Sequence, residues 1–174
     1  DPADVGGSYG EFLRAQFRAV LDQAPESPYS AARLDALCRR RSSPADCVGE
    51  WSALAQAHPE SSLARMYLGR SLQDAGDMAG AETAYREASR LRPEWLEPKI
   101  QLGALTAAAG NVQHGLELVD EAVAKAADLS AAAAEACARA AQTRLTAGDP
   151  AAAVVLLRRA SALAVTDLRY RMLL

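Results

Sequence analysis

The feature that most constrains this chain is a repeat with a period of 34 residues. Gly69 recurs as Gly103 and Gly76 recurs as Gly110, in both cases 34 positions later. A further glycine, Gly148, follows Gly76 by 72 positions, which equals two periods and four added residues. A fixed internal period of this length indicates that similar structural units stack along the chain, each burying part of its surface against the next.

Each period has the pattern of two helices. Within residues 62–95, apolar side chains recur at three- and four-residue steps on both sides of the breaker Gly76-Asp77, and Pro93 ends the second segment. Alanine occupies 40 of the 174 positions, whereas aromatic residues make up only 5%. This composition favours closely packed helices over sheets. The sequence therefore predicts an all-α chain of antiparallel helix pairs, with a helical bundle lacking true repeats as the alternative.

The units resemble tetratricopeptide repeats (TPR). In residues 62–95 the positions that match the TPR pattern are Leu68, Gly69, Leu72, Gly76, Ala81, Tyr85, Ala88 and Pro93. The unit at 96–129 matches less fully, since Gly115 stands where alanine is usual, and 130–167 matches weakly. A degenerate unit at 28–61 departs from the pattern at Asp35, where glycine or alanine is expected. The resemblance implies a right-handed α-solenoid of antiparallel helix pairs.

We predict disorder over residues 1–7 and a single TPR-like domain over 8–174. Within that domain the expected parts are an N-terminal helix at 8–27, a degenerate repeat at 28–61, the best repeat at 62–95, a repeat at 96–129, a repeat with a four-residue insertion at 130–167, and the start of a capping helix at 168–174. The N-terminal helix is interpreted as the second half of an incomplete unit, with an apolar face formed by Phe12, Leu13, Phe17, Val20 and Leu21. Asp1 in place of methionine favours a processed chain or a piece of a longer protein.

Cys38 and Cys47 lie at similar distances on either side of the predicted turn at Ser42-Ser43. Antiparallel helices would place the two cysteines opposite each other, at a separation that a disulfide could bridge. Two alternatives stay open, a reduced buried pair and a disulfide bond. A disulfide would indicate a periplasmic or exported protein, and reduced thiols a cytoplasmic one. Cys137 is predicted to be a helix-packing residue.

Several functions are disfavoured by what the sequence lacks. It contains no phosphate-binding, dinucleotide-binding, zinc-protease or nucleophile-elbow motif, and three scattered cysteines with two histidines do not form a metal-site pattern. The net charge of −3 disfavours nucleic acid as a partner. No run of about 18 apolar residues is present, so no segment is expected to span a membrane. We therefore expect a binding module rather than an enzyme, without cofactor or metal.

The TPR resemblance implies a concave groove lined by the first helix of each pair. Transferred position by position, the groove residues are Leu63, Met66, Arg70, Gln73, Ile100, Ala104, Ala107, Ala108, Gln142 and Leu145. The same transfer also gives Asp74, Glu97, Glu135, Ala138 and Thr146. For the alanine positions the alternative is that they only contact neighbouring hairpins.

The small apolar centre of this predicted groove favours an amphipathic helix or an extended apolar segment as its ligand, from a partner or from the protein itself. The leading functional hypothesis is a protein-interaction scaffold, with assembly of a bacterial cell-envelope complex as one role. The alternative is a recognition domain excised from a larger TPR-fused enzyme. Association through exposed end faces would give a homodimer.

Overall fold

The structure is a computed structural model that describes the backbone of residues 2–164 and the side chains of residues 9–164 except residue 41. Over these residues the chain forms helices and no strand, so the predicted all-α class is confirmed. The helices are α1 (Pro2–Gln23), α2 (Pro28–Arg41), α3 (Pro44–Ala57), α4 (Ser62–Asp74), α5 (Met78–Leu91), α6 (Glu97–Ala108), α7 (Val112–Lys125), α8 (Ser130–Thr146) and α9 (Pro150–Leu163). A short 3-10 turn at Ala127–Leu129 precedes α8.

Side-chain caps fix where many of these helices begin. Ser27, Ser43 and Ser61 precede α2, α3 and α4, and each hydroxyl accepts a hydrogen bond from a backbone N–H of the first turn. Asp77 and Asp149 do the same for α5 and α9 through their carboxylates. Such caps satisfy backbone donors that have no partner within the helix. The sequence therefore specifies helix starts through local hydrogen bonds.

Three hairpin turns share one backbone geometry. The glycine in each turn has a positive φ angle, which residues with a Cβ atom rarely adopt. The angles are 87° for Gly76, 111° for Gly110 and 77° for Gly148. In each turn the residue after the glycine donates its N–H to the carbonyl five positions earlier, at 2.9 to 3.2 Å. This bond is characteristic of a helix terminated by a left-handed residue. The pairs α4–α5, α6–α7 and α8–α9 are thus joined by equivalent turns.

The chain divides into two compact units, the first ending at Arg92 and the second beginning at Pro93. This boundary falls inside the single TPR-like domain that the sequence predicts over 8–174, close to the predicted junction between the repeats at 62–95 and 96–129. Pro93 lacks the N–H that would continue α5, and Arg92 is the last residue to donate back into that helix. The local break in helical hydrogen bonding therefore coincides with the boundary between the units.

In the first unit, aromatic side chains fill the spaces between helices. Tyr85 of α5 is fully buried, and a Cβ atom on Gly69 of α4 would lie 2.7 Å from its ring. Glycine is therefore required at this crossing of α4 and α5. On the other side of α4, the Tyr67 ring stacks on the buried Trp51 of α3 with 4.8 Å between centroids. These contacts link α3, α4 and α5 through the core of the first unit.

In the second unit, small side chains form most of the core. Ile100, Val119 and Leu156 are the largest members of a cluster that otherwise consists mainly of alanines from α6, α8 and α9. Alanine lets helix axes approach closely, which increases the number of van der Waals contacts per turn. The alanine-rich composition therefore reflects close packing of α6 against α8 and of α8 against α9.

The first helix begins earlier in the chain than the sequence predicts. Residues 2–7 lie within α1, whereas the sequence predicts disorder there. Extending an existing helix adds one hydrogen bond per residue, so α1 continues through Gly6 and Gly7 although each costs about 1 kcal/mol relative to alanine. The extra residues of the 130–167 repeat lengthen its first helix, since α8 has 17 residues and α4 has 13. The capping helix predicted at 168–174 lies outside the described residues.

No helix over the described range is both long and apolar enough to cross a bilayer.

Candidate functional site

Four of the predicted groove residues, all on α6, lie in the core. Ile100, Ala104, Ala107 and Ala108 are 0 to 6% exposed and belong to the cluster that α6 shares with the alanine face of α8. Packing within the second unit covers these side chains, and the Cβ of Ala107 lies against Gly115 of α7, so they do not line an open surface. The burial of the three alanines agrees with the alternative interpretation stated for alanine positions, contact with a neighbouring hairpin, whereas Ile100 is predicted only as a groove residue.

Polar contacts also tie α6 to α8. Gln101, which is buried, accepts a hydrogen bond of 2.6 Å from Arg139 of α8. Arg144 donates to the carbonyl oxygen of Ala108 at 3.3 Å and forms an ion pair of 2.7 Å with Asp149. A backbone N–H in the first turn of α9, together with Arg144, lowers the pKa of Asp149 below its usual value. These contacts hold α8 over the small residues of α6.

The corresponding positions on α8 face outward. The residues at the transferred groove positions of this helix are exposed or half-buried, and they are Glu135, Ala138, Gln142, Leu145 and Thr146. Leu145 is 45% exposed, a high fraction for a large apolar side chain. We call these five residues the α8 stripe. Of the predicted groove residues in the second unit, Gln142 and Leu145 are therefore accessible to a partner.

On α4, the predicted residues divide into two groups. Leu63 and Met66 are buried, at 4% and 2% exposed, and contribute to the core of the first unit. Arg70 and Gln73 are half-buried at the surface, and Gln73 accepts a hydrogen bond of 3.0 Å from the hydroxyl of Tyr85. The side-chain amide of Gln73 thereby anchors the hairpin, while Arg70 is available for charge pairing.

Arg70 belongs to a charged cluster between α2 and α4. Arg39 donates to the carboxylate of Asp35 at 2.8 Å and also pairs with Asp74, while Arg70 lies 3.7 Å from the same Asp35 carboxylate. The Asp35 side chain is only 5% exposed. Its Oδ1 atom has no hydrogen-bond partner among the described residues. The positive charges of Arg39 and Arg70 therefore balance the negative charge of Asp35, the residue that departs from the TPR pattern.

Cys38 of α2 and Cys47 of α3 are joined by a disulfide bond, with their Cα atoms 5.7 Å apart. Both residues are buried, so the bond links α2 and α3 from within the first unit. Cys137 is a buried thiol, and burial raises its pKa to about 12. No group of three or more His, Cys, Asp or Glu side chains in the described part of the chain is arranged to hold a metal ion.

A cleft between α1 and α2 was not predicted. Its volume is about 380 Å³, and we call it the aromatic cleft; its lining residues are Tyr9, Leu13, Phe17, Tyr29, Arg33, Ala36, Leu37 and Arg40. Tyr9 and Tyr29 are 63% and 65% exposed, and the rings of Phe17 and Tyr29 meet edge to face at 6.0 Å. The Arg33 guanidinium lies 5.5 Å from the Tyr29 ring centroid.

The sequence offered one signal for this cleft. The apolar face predicted for α1 would be expected to be buried, yet Phe12 is 56% exposed, Val20 is 43% exposed, and only Leu21 of that face is fully buried. Four of the nine aromatic residues of the chain lie between positions 9 and 29. A concentration of aromatics in the least regular part of the repeat pattern was the available indication of a surface site.

Neither a family model nor a curated protein matches the sequence. Several solved structures are similar. The crystal structure of MamA is 16% identical, with 98% of this chain and 96% of that chain covered and a TM-score of 0.57. TTC0263, a thermophilic TPR protein in Thermus thermophilus, is 18% identical, with coverages of 91% and 85% and a TM-score of 0.60. YrrB, a TPR protein with an unusual peptide-binding site, is 14% identical, with coverages of 97% and 84% and a TM-score of 0.56.

At identities of 14 to 18%, these similarities concern the fold. The fold of these structures agrees with two features of this chain: its hairpin turns contain equivalent glycines, and its helix pairs follow one another at the predicted repeat. The resemblance inferred from the 34-residue period is thereby confirmed: this chain has the all-α fold of tetratricopeptide-repeat proteins.

Proposed function

We propose that this chain is a protein-interaction scaffold that binds a helix or peptide of a partner through the exposed sides of its first helices. The α8 stripe is the principal contact in the second unit. Arg70, Gln73 and the charged cluster around Asp35 provide polar contacts in the first unit.

One observation carries the proposal. At equivalent positions of the repeat, Ile100 and Ala104 of α6 are buried in the cluster that α6 shares with α8. On α8, Gln142 is exposed and Ala138 is half-buried among the described residues. The packing of α8 against α6 beside Ile100 and Ala104 supports the idea that this side of a first helix accepts a helix at close range. The α8 stripe is the same side of the next first helix, so a helical segment is the ligand it suits best.

The chemistry of the α8 stripe is compatible with a protein ligand. Leu145 provides an apolar anchor, and Ala138 leaves room for a second backbone to approach. Gln142 and Glu135 offer both hydrogen-bond donors and acceptors to polar groups at the rim. A small apolar centre with a polar border is the usual composition of an interface. YrrB, which shares the fold, is described as having a peptide-binding site, and this supports a peptide as the class of ligand.

The disulfide between Cys38 and Cys47 favours an oxidising compartment. A periplasmic or otherwise exported scaffold would satisfy this condition, and assembly of a bacterial cell-envelope complex is the role that fits it. The compartment and the binding activity are separate parts of the proposal, so each has its own test.

Site-specific photo-crosslinking tests the binding site. A photoreactive amino acid replaces Gln142 in one variant and Arg158 in another, since both residues are exposed but Arg158 lies on the second helix α9. In cells of the source organism, the variant at position 142 is expected to crosslink to one dominant protein that is absent from the control. Equal products from both variants would contradict the proposed site. Crosslinks only within the chain would indicate that the protein occupies its own α8 stripe.

A further inference from the structure

We propose that the aromatic cleft is a second docking site, which accepts an acidic amphipathic helix of a partner protein. This site lies between α1 and α2 of the first unit and is independent of the α8 stripe. Its recognition chemistry follows from the two helix faces that form it and from the distribution of charge along them.

The shape of the cleft suits a helix. Tyr9, Leu13 and Phe17 recur every four residues and form one ridge along α1. Tyr29, Arg33 and the residues that follow them on α2 form the second ridge. Side chains of a third helix can enter the groove between two such ridges, as they do wherever helices pack. The exposed rings of Tyr9 and Tyr29 would lose much of their contact with water in this arrangement.

The charges around the cleft identify the partner as acidic. Arg33 and Arg40 line the cleft, and no Asp or Glu whose side chain the structure describes does so. Among the described residues neither arginine forms an ion pair, and Arg33 instead contacts the Tyr29 ring and hydroxyl. On another side of α1 the pattern is the opposite, because Arg14 and Arg18 both pair with Glu50 at 2.5 to 2.9 Å. Positive charge is thus neutralised within the fold on one side of α1 and left without an acidic partner in the cleft.

The spacing of the two arginines defines the ligand further. Arg33 and Arg40 are seven residues apart, which corresponds to roughly 10.5 Å along α2. A helix that lies along the cleft with two carboxylates seven residues apart would place one near each guanidinium. Apolar side chains three and four residues after the first carboxylate would then face Leu37 and Ala36 between the arginines. The ligand is therefore a helix with acidic residues at i and i+7 and apolar residues at i+3 and i+4.

A charge-swap experiment tests this inference. The probe is a fluorescein-labelled alanine-rich peptide of about 18 residues, long enough to form a helix, with glutamates and leucines at the stated spacing. A second peptide carries lysines in place of the glutamates. By fluorescence anisotropy, the protein is expected to bind the glutamate peptide about tenfold more tightly than the lysine peptide. In the double variant Arg33→Glu/Arg40→Glu the preference is expected to reverse.

Two further variants make the result specific to the cleft. Arg86→Glu changes an exposed arginine on α5, outside the cleft, and is expected to leave the preference unchanged. Ala36→Phe fills the cleft without removing a charge and is expected to abolish binding of the glutamate peptide, with circular dichroism confirming the helical fold. Equal affinity for both peptides, or a preference that the double variant retains, would overturn the inference.

Other occupants give distinct results. If the chain forms a dimer in sedimentation experiments, and Arg33→Glu/Arg40→Glu dissolves that dimer, the cleft binds a second copy and the inference of a separate acidic partner is wrong. Crosslinking from position 142 reports on the α8 stripe and is expected to be unaffected by the double variant. A loss of binding at the aromatic cleft is therefore distinguishable from a loss of binding at the α8 stripe.

Discussion

A Cβ atom on Gly103 would lie 2.6 Å from the carbonyl oxygen of Gly115, so α6 and α7 meet here backbone to backbone. In the first unit the same relationship joins α4 and α5, where a Cβ on Gly69 would lie 3.2 Å from the carbonyl oxygen of Ala81. Both residues of the α6–α7 contact are 34 positions after their α4–α5 counterparts. The helix crossing, and not only the turn, therefore follows the repeat.

This crossing predicts the effect of an alanine at position 115, the residue usual in the TPR pattern. A Cβ there would lie 2.7 Å from the Cβ of Ala107, so Gly115→Ala is expected to destabilise the protein by about 1–3 kcal/mol despite the better helix propensity of alanine. Gly49→Ala is the matched control, because nothing lies within 4 Å of a Cβ at this helical position. It is expected to be neutral or to stabilise by up to about 1 kcal/mol. Urea unfolding measures both variants, and equal stability would contradict the close contact.

The parts of the fold that sequence reasoning predicted are those encoded by local backbone requirements. Gly76, Gly110 and Gly148 adopt positive φ angles that most residues avoid, so their spacing located three turns without any knowledge of packing. The pairing of Cys38 with Cys47 was a stated alternative, because the distance of each cysteine from the turn can be counted along the chain. Such features depend on only a few neighbouring residues.

The candidate site was less predictable because burial depends on which helix lies opposite. The transferred groove pattern treats Ala104 and Leu145 as equivalent lining residues, yet one is 2% exposed and the other 45%. The difference arises from α8, which covers α6 and whose own outer side has no helix on it among the described residues. The aromatic cleft depends similarly on the approach of α1 to α2, and the 34-residue pattern is weakest in that part of the chain.

The burial of α6 predicts that a charge at position 104 disrupts the fold. Ala104→Glu would place a carboxylate in an apolar cluster without a partner, and we expect it to destabilise the second unit by several kcal/mol or to unfold it. Ala131→Glu is the control, because Ala131 is exposed near the start of α8, where a negative charge interacts favourably with the helix dipole. Circular dichroism during thermal unfolding distinguishes the two. Equal melting temperatures would show that position 104 is open to solvent.

The disulfide predicts both a thiol count and a stability change. Under denaturing, non-reducing conditions one thiol per chain is expected, that of Cys137, and three are expected after reduction. A bridge between residues nine positions apart stabilises the folded state by about 2–3 kcal/mol through the entropy of the unfolded chain. Reduction should therefore lower the free energy of unfolding by this amount. The variant Cys38→Ala/Cys47→Ala should be insensitive to the reductant, and three thiols before reduction would contradict the bond.

Burial of Cys137 predicts a specific loss of stability at high pH. In the folded protein its pKa is raised to about 12, compared with 9.0 for the exposed thiol of the unfolded chain. The unfolded state therefore loses this proton first, so the contribution of the neutral buried thiol is fully present below pH 9 and declines as the pH rises towards 12.

The stability difference between the wild-type protein and Cys137→Ala isolates this contribution, because other titrating groups cancel in the comparison. We expect the difference to become about 1.4 kcal/mol less favourable to the wild type between about pH 8 and pH 10, as measured by urea unfolding at each pH. Between about pH 6 and pH 8 the difference should stay constant, which serves as the internal control. A difference that does not change up to about pH 10 would mean that the folded thiol ionises as easily as the unfolded one, and that α8 leaves Cys137 accessible to water.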